Sequence, residues 1–583
     1  MKLVTVGVAL ACLCSVVILV MSPGASEAAT PPPAQNFGNS AMTVLPGNKI
    51  QLHFNTSPKQ WFILTNSSQT PLPNFNSPYV VHWNPMAGSS ASFVNTWGWW
   101  QTSPAPGNTP KGSTTNIRVL IPTNAARGTV FAFQLYTCDW SLCSNSPGGT
   151  PFGYSQIFMT VASRAWSSVP YTHEFKYLVT MPRLSSQAPT DVTFDSSDTI
   201  WVNSESSPYQ DALDNNAYRR PSTTRSTSRL SGLTDSTNQQ NHPFWYCLGQ
   251  VCGNTGISSL GERVIFADGK IWATKGGDNL LRSSEENRSE VLAYDPTTGN
   301  FCTYQVPGNN QELYGITATG TGRATTIWID GAVGPNHTAG IASFIPRSND
   351  VCPGTYSLAN SDSYTAYQLP AMNRQCNSNQ KCNFTLPAMI TADPSGNEIW
   401  VSQLFGSEID AFNTSTHNVS TFAYPPQNAY FTFNQLPQPE VAAPWQVVAD
   451  SDYVYAIDFG DNNLIRLAKS TGKIDQVPIP ATSDQDRGYG LALSGSKLYF
   501  TSSGDPTYGF GYVDIEAWES ASSSCSPGAD CVPSPPSAVV YSGLTHDADH
   551  SRPPSYSGVA AASDGQVAIA DYFTGVIRLV PTH

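Results

Sequence analysis

Short runs in which apolar and polar residues alternate fill most of this chain, broken by Gly, Pro, Asn and Asp. Alternation with period two predicts half-buried β-strands joined by turns. In the last 400 or so residues the runs obey a longer rule. Pro387-Ala388-Met389-Ile390 leads through Ser395-Gly396-Asn397 to Ile399-Trp400-Val401, and Pro444-Trp445-Gln446-Val447 leads to Val454-Tyr455-Ala456. A third strand follows (Glu408 to Phe412; Leu464 to Leu467), then a fourth ending in proline (Thr421 to Pro425; Gln476 to Pro480). Four short strands repeating every roughly 40–60 residues predict the blades of a β-propeller.

Both ends of the repeat are incomplete. His173 to Pro182 reads as a fourth strand without the first three. Gly558-Val559-Ala560, Gln566 to Ala570 and Val576 to Leu579 read as three strands without a fourth. Joining the fragments removes two open sheet edges and gives seven blades. Their second strands are marked by Trp201, Trp272, Trp328, Trp400, Tyr455, Tyr499 and Ala568.

The expected fold is therefore all-β: an N-terminal sandwich, then a seven-bladed propeller closed by strand pairing between its ends. Residues 40–163 form the sandwich. Ile117 to Pro122, a turn at Ala125 to Thr129, Val130 to Leu135 and Ile157 to Val161 resemble the last three strands of immunoglobulin-like modules. Residues 164–172 are the expected linker and 173–583 the propeller, with insertions at 205–255 and 515–555. Insertions of this kind project from one face and shape specificity or contacts.

Charged residues make up only 12% of the chain and the net charge is −13, which excludes the basic footprint of a nucleic-acid partner. Lys2 precedes an apolar run from Leu3 to Met21 and small residues up to Ala28. This predicts a signal peptide over 1–28, a leader over 29–39 and a mature chain without a membrane span. The rival reading is an uncleaved anchor, since the run could just cross a bilayer. The expected location is secreted, extracellular or at the cell surface.

Cysteine usage agrees with export. Cys138/Cys143, Cys247/Cys252, Cys376/Cys382 and Cys525/Cys531 are close enough in sequence to close small loops. Cys302 and Cys352 remain by elimination and would tie neighbouring blades. The spacings are wrong for zinc knuckles, so disulfides are expected. Sequons begin at Asn55, Asn66, Asn287, Asn336, Asn383, Asn413 and Asn418, and would carry glycans in a host with that pathway.

Gly460-Asp461-Asn462-Asn463-Leu464-Ile465-Arg466-Leu467, with Thr471-Gly472-Lys473-Ile474 and Val477 to Pro480, resembles a blade of the virginiamycin B lyase family. The resemblance covers about residues 173–583. It implies a seven-bladed propeller and, where the chemistry is kept, Mg²⁺-assisted elimination that opens streptogramin B antibiotics. That chemistry implies a His in the first strand and a Glu after the aromatic strand. Here the first position holds Thr190, Glu262, Tyr314, Ala388, Trp445, Tyr489 and Ser557, and the second holds Ser204, Lys275, Gly331, Gln403, Asp458, Ser502 and Asp571. Neither the His nor the Glu is present, so the catalytic set does not carry over.

Trp445, Tyr489 and Tyr314 with Asp458 and Asp571 remain as ligand-binding candidates at the channel mouth. Aromatics with carboxylates suit a carbohydrate, a peptide or another small molecule such as an organic cation; the alternative is that they fill the taper of the channel. His546, Asp547, Asp549 and His550 crowd one loop entering the last blade. They could hold a divalent cation or share proton transfer, or form a polar surface loop. No cofactor is certain. Two functions fit. The first is recognition of an extracellular ligand or surface protein, or extracellular assembly. The alternative is a lyase acting on a cyclic ester or a polysaccharide, with or without a metal.

Overall fold

The computed structural model describes residues 35–55, 60–65, 101–103, 114–128, 130–139, 153–162, 166–182, 188–205, 229–233, 244–247, 263–275, 289–308, 313–346, 352–371, 375–381, 387–424, 443–482, 487–522, 538–544 and 556–582. Positions 299, 332, 334–338, 353, 362, 378–379, 405, 461, 504–508 and 572–574 are excepted. The described chain is all-β and divides into two compact units, Met1–Arg164 with 428–441 and 480–485, and Ala165–Gln427 with 442–479 and 486–583.

In the first unit, β1 (Gln35–Val44), β2 (Lys49–Asn55), β3 (Gln60–Thr65), β4 (Gln101–Ser103), β5 (Thr114–Leu120), β6 (Val130–Asp139) and β7 (Gly153–Val161) make two sheets. Their orders are β1-β7-β6-β3 and β2-β5-β4. All pairings are antiparallel except β1 with β7. Val44, Ile50, Ile121, Met159 and Val161 are buried, the inward half of the alternation. The short segment at Pro480 belongs to this unit, where the Ala481 N–H donates to the Thr43 carbonyl at 2.7 Å.

The second unit is a β-propeller arrangement in which six blades are counted, against the seven expected. Its sheets are built from consecutive strands, each antiparallel to the next. β8 (Trp166–Pro170) and β9 (Phe175–Pro182) come first in the chain and are used last. β10 (Ala188–Phe194), β11 (Ile200–Glu205), β12 (Arg229–Leu233) and β13 (Phe244–Cys247) form one sheet; β14 (Val264–Ala267), β15 (Lys270–Lys275), β16 (Glu290–Asp295) and β17 (Asn300–Gln305) form the next. β18 (Leu313–Thr319), β19 (Thr326–Gly331) and β20 (Gly340–Phe344) follow; then β21 (Gly354–Ser357) leaves to pair in parallel with β17, and β22 (Thr365–Gln368) returns to β20. A small hairpin, β23 (Gln375–Asn377) and β24 (Gln380–Lys381), precedes β25 (Pro387–Ala392), β26 (Glu398–Gln403), β27 (Glu408–Asn413) and β28 (Val419–Ala423). β29 (Pro444–Ala449), β30 (Tyr453–Asp458), β31 (Asn463–Ala468) and β32 (Ile474–Pro478) repeat the plan. β33 (Arg487–Ser494), β34 (Lys497–Ser503) and β35 (Phe510–Asp514) lead into helix α1 (Ile515–Ser522) and β36 (Ala538–Ser542), to which β8 adds in parallel. β37 (Tyr556–Ala561), β38 (Val567–Asp571) and β39 (Gly575–Pro581) are completed by β9, antiparallel to β39.

That last pairing is the closure read from the incomplete ends. Within the expected linker 164–172, Trp166 to Pro170 are a strand paired with β36. Cys302 on β17 and Cys352 just before β21 form a disulfide, so covalent and parallel-strand contacts hold the same excursion. Of the five expected bridges, this is the one seen among the described residues. The four local loops, Cys138–Cys143, Cys247–Cys252, Cys376–Cys382 and Cys525–Cys531, are not seen there. Cys143, Cys252 and Cys382 lie outside the described residues, as do both Cys525 and Cys531, so each of these pairs lacks at least one described partner. The sequon residues Asn66, Asn287, Asn336 and Asn383 lie outside them too; Asn55 is on β2, and Asn413 and Asn418 flank the turn from β27 to β28.

The apolar core lies between adjacent sheets. Trp201 packs with Val264, Ile271 and Leu292. Trp328 packs with Ile390, Ile399 and Phe412. Val192, Ile200 and Val202 of the first sheet pack with Ala568, Ala570 and Val576 of the last. Four of the aromatic residues that mark the second strands also tie down the preceding hairpins. Trp201 Nε1 donates to Asp195 Oδ2 at 2.8 Å, Trp272 Nε1 to the Ala267 carbonyl at 3.1 Å, Trp328 Nε1 to Thr319 Oγ1 at 3.0 Å and the Tyr455 hydroxyl to Asp450 Oδ2 at 2.8 Å. An amphipathic ring fits this place because its body is buried and its tip reaches a turn.

Candidate functional site

The candidate residues fall at two structural positions. The first strand of six sheets is irregular at or beside the candidate residue, with register breaks at Pro189/Asp191, Leu313/Ile316, Pro387/Met389, Pro444/Val447, Gly488/Leu491 and Tyr556/Val559. A bulge re-aims side chains and frees backbone groups from the ladder. Thr190, Tyr314, Ala388, Trp445, Tyr489 and Ser557 all lie inside these breaks. Glu262 is outside the described residues.

Two candidates meet directly. Trp445 and Tyr489 bring their ring centroids to 5.2 Å, and Phe459 lies 6.4 Å from Trp445 and 6.3 Å from Tyr489. Trp445 is buried, while Tyr489 and Phe459 are half-buried and give the cluster its accessible edge. Tyr314 is buried in another sheet.

The carboxylates are buried too. Asp458 is 0% exposed; Oδ1 accepts the N–H groups of Ala443 at 2.8 Å and Gly460 at 2.7 Å, and Oδ2 accepts the Tyr424 hydroxyl at 2.8 Å. It holds the entry of β29 and the end of β30 together. Asp571 is also 0% exposed. His546, Asp547, Asp549 and His550 are outside the described residues, and among those described no group of three or more His, Cys, Asp or Glu could hold a metal.

Sequence reasoning missed the residue one place earlier in the second strand. There Asn203, Thr274, Asp330, Ser402 and Thr501 are buried. Thr274 Oγ1 accepts the Arg263 N–H at 3.3 Å and donates to the Tyr314 carbonyl of the next sheet at 3.1 Å. Ser402 Oγ accepts the Met389 N–H at 3.1 Å and donates to the Trp445 carbonyl at 2.5 Å. Thr501 Oγ1 accepts the Gly490 N–H at 2.9 Å and donates to the Ser557 carbonyl at 3.0 Å. Asn203 Nδ2 reaches the Arg263 carbonyl at 3.2 Å. These side chains form a polar belt that fixes the bulged first strands, and with them the candidate aromatics. The signal in the sequence was a polar residue two places after five of the six marker aromatics, Tyr455 with Ile457 being the exception, inside otherwise apolar strands.

Two acids on this level have raised pKa values. Burial pushes Asp191 up to about 6, against the nearby charge of Arg263, whose Nη1 lies 3.0 Å from Asp191 Oδ1, and the Val264 N–H at 2.9 Å. Burial pushes Asp330 up to about 7, with only backbone N–H groups opposing it.

No protein-family profile matches the chain, and no curated protein does. Among solved structures, low-identity likenesses are found. A streptogramin B lyase is 16% identical, spans 72% of this chain and 100% of its own, and has a TM-score of 0.45. A catalytically inactive virginiamycin B lyase from Staphylococcus aureus with quinupristin is 14% identical over 70% of this chain and 98% of its own, at 0.42. Hydrazine synthase of Kuenenia stuttgartiensis is 12% identical over 69% and 97%, at 0.41.

Proposed function

We propose that this chain is an exported recognition protein: an immunoglobulin-like sandwich followed by a seven-bladed propeller, binding an extracellular ligand or surface protein. The two sheet orders β1-β7-β6-β3 and β2-β5-β4, with one parallel end pair, support the sandwich assignment. Seven successive four-strand sets, with the first and last sharing a core, support seven blades. The Cys302–Cys352 disulfide and the signal-like N-terminus favour an oxidising, extracytoplasmic location.

The observation that carries binding over catalysis is the state of Asp458. A general base must be free to take a proton from a substrate. Both oxygens of Asp458 already accept protein hydrogen bonds, and no water-exposed surface remains on it. What the mouth offers instead is the edge of Tyr489 and Phe459 braced on Trp445. Such a surface suits stacking on a sugar ring, a peptide aromatic or an organic cation.

The experiment is a thermal-shift screen of the full chain against glycans, peptides and quaternary amines, with and without Mg²⁺. A ligand that raises the melting temperature in the parent and not in Tyr489→Ala supports the reading. Conversion of a streptogramin B or an acidic polysaccharide to an unsaturated product would overturn it in favour of the lyase alternative.

A further inference from the structure

Asp330 occupies the belt position of its sheet, and its chemistry is wrong for the role its counterparts play. Ser402 and Thr501 each accept an N–H from their own first strand, Thr274 accepts that of Arg263 just before its own, and all three donate a hydroxyl hydrogen to a carbonyl of the next first strand. Asp330 does the first part: Oδ1 accepts the Gly315 N–H at 2.5 Å. Oδ2 is buried without a hydrogen-bond partner. It points at the junction with the next sheet, because a Cβ at Gly315 would lie 2.8 Å from Asp330 Oδ2 and 2.7 Å from the Ile390 nitrogen of β25. A carboxylate there has no hydrogen to donate, while a carboxylic acid does.

We infer that Asp330 works as a neutral carboxylic acid, completing the belt by donating from Oδ2 towards the first strand of the next sheet, so that this junction is clasped by a proton and loosens as the pH rises. The first-strand carbonyls used elsewhere belong to Tyr314, Trp445 and Ser557; the corresponding residue here is Ala388.

The surroundings keep the proton in place. The strands against β19 are β18, β20 and β25, and Tyr314 is the only titratable residue they contain. No described cation pairs with Asp330, whereas the buried Asp191 has Arg263. Burial raises Asp330 from 3.8 to about 7. The sign follows from proton linkage. Between those values the folded chain holds a proton that the unfolded chain has released. The contribution is whole below the ordinary carboxylate range, falls as pH rises towards 7, and is gone above it. One pH unit in that window is worth about tenfold in the unfolding constant.

The test is the unfolding constant of the full chain at several pH values, for the parent and Asp330→Asn, whose amide donates at every pH. Asp191 and Asp410, the other buried acids with raised values, are common to both proteins and cancel in the ratio. We expect the parent to lose roughly tenfold per unit relative to Asp330→Asn between about pH 5 and 7, then level off. A ratio independent of pH overturns the inference. Should Asp330→Asn not fold, Asp330→Thr, carrying the side chain of Thr274 and Thr501, takes its place with the same expected slope. Failure of both variants to fold overturns the inference as well, since a neutral donor at this position is what it requires.

Discussion

At the scale of the residue, a small hydroxyl does two jobs that the strand ladder leaves undone. A bulge breaks the regular pairing of six first strands, and a buried N–H without a partner would cost about 1–3 kcal/mol. Ser402 repairs this for Met389 and, with its own hydrogen, reaches Trp445 in the next sheet. We expect Ser402→Ala to lose about 1–3 kcal/mol in urea unfolding, while Ser415→Ala on an exposed turn stays within about 0.5 kcal/mol. Close approach is the second residue-scale constraint. A Cβ on Gly490 would sit 2.5 Å from Thr501 Oγ1 and 2.6 Å from the Ser557 carbonyl oxygen. Neither neighbour can move without breaking the belt, so Gly490→Ala is expected to cost about 1–3 kcal/mol, read as a fall in melting temperature. Equal stability of the two proteins would show that the sheets slide freely here.

At the scale of the element, the additions to the repeat matter most. Helix α1 leaves one sheet and covers another. Its Trp518 is fully buried, 6.2 Å from the Tyr455 ring, and the Arg466 guanidinium lies 5.0 Å from Trp518 and 4.7 Å from Tyr453. Asp475 neutralises that cation at 2.9 Å, and Glu519 accepts the Tyr453 hydroxyl at 2.7 Å. Trp518→Ala removes the centre of this arrangement. It should cost about 3 kcal/mol or more and expose the α1 segment to limited proteolysis; an unchanged digestion pattern would mean that the helix is held from elsewhere. The Cys302–Cys352 bridge spans 50 residues of chain. Loop entropy makes such a link worth up to about 4 kcal/mol, so Cys352→Ser should unfold at clearly lower denaturant.

At the scale of the whole propeller, stability depends on the chain's ends meeting. β9 supplies the outer strand for β39, and the Thr582 N–H donates to the Glu174 carbonyl at 3.0 Å. The Glu174 side chain accepts the Tyr541 hydroxyl at 2.8 Å and lies 3.5 Å from Lys497. Residues from the two ends of the unit therefore lock three strands at once. Deleting residues 573–583 removes β39 and strips β9 of its partner. The truncated protein is expected to aggregate or unfold, and a soluble product with an unchanged melting temperature would refute the role of closure.

The sequence by itself determined the strands, the hairpins that join them and the pairing of the two ends. Those features are local or complementary: alternation needs only neighbours in the chain, and an unfinished set of three strands at Gly558 to Leu579 calls for the fourth at His173 to Pro182. The tertiary structure alone decided which polar groups were spent. Asp458 and Trp445 read equally well as a binding mouth or as packing, because period and spacing give a side chain's direction and not its partners. Tyr424 and the N–H groups of Ala443 and Gly460 bond to Asp458, and they reach it only when the sheets come together. The parallel additions of β8 and β21 were hidden for a related reason. A strand that joins a distant sheet carries no sign of its partner in its own residues, and only the folded path brings Trp166 beside Ala538 and Gly354 beside Cys302.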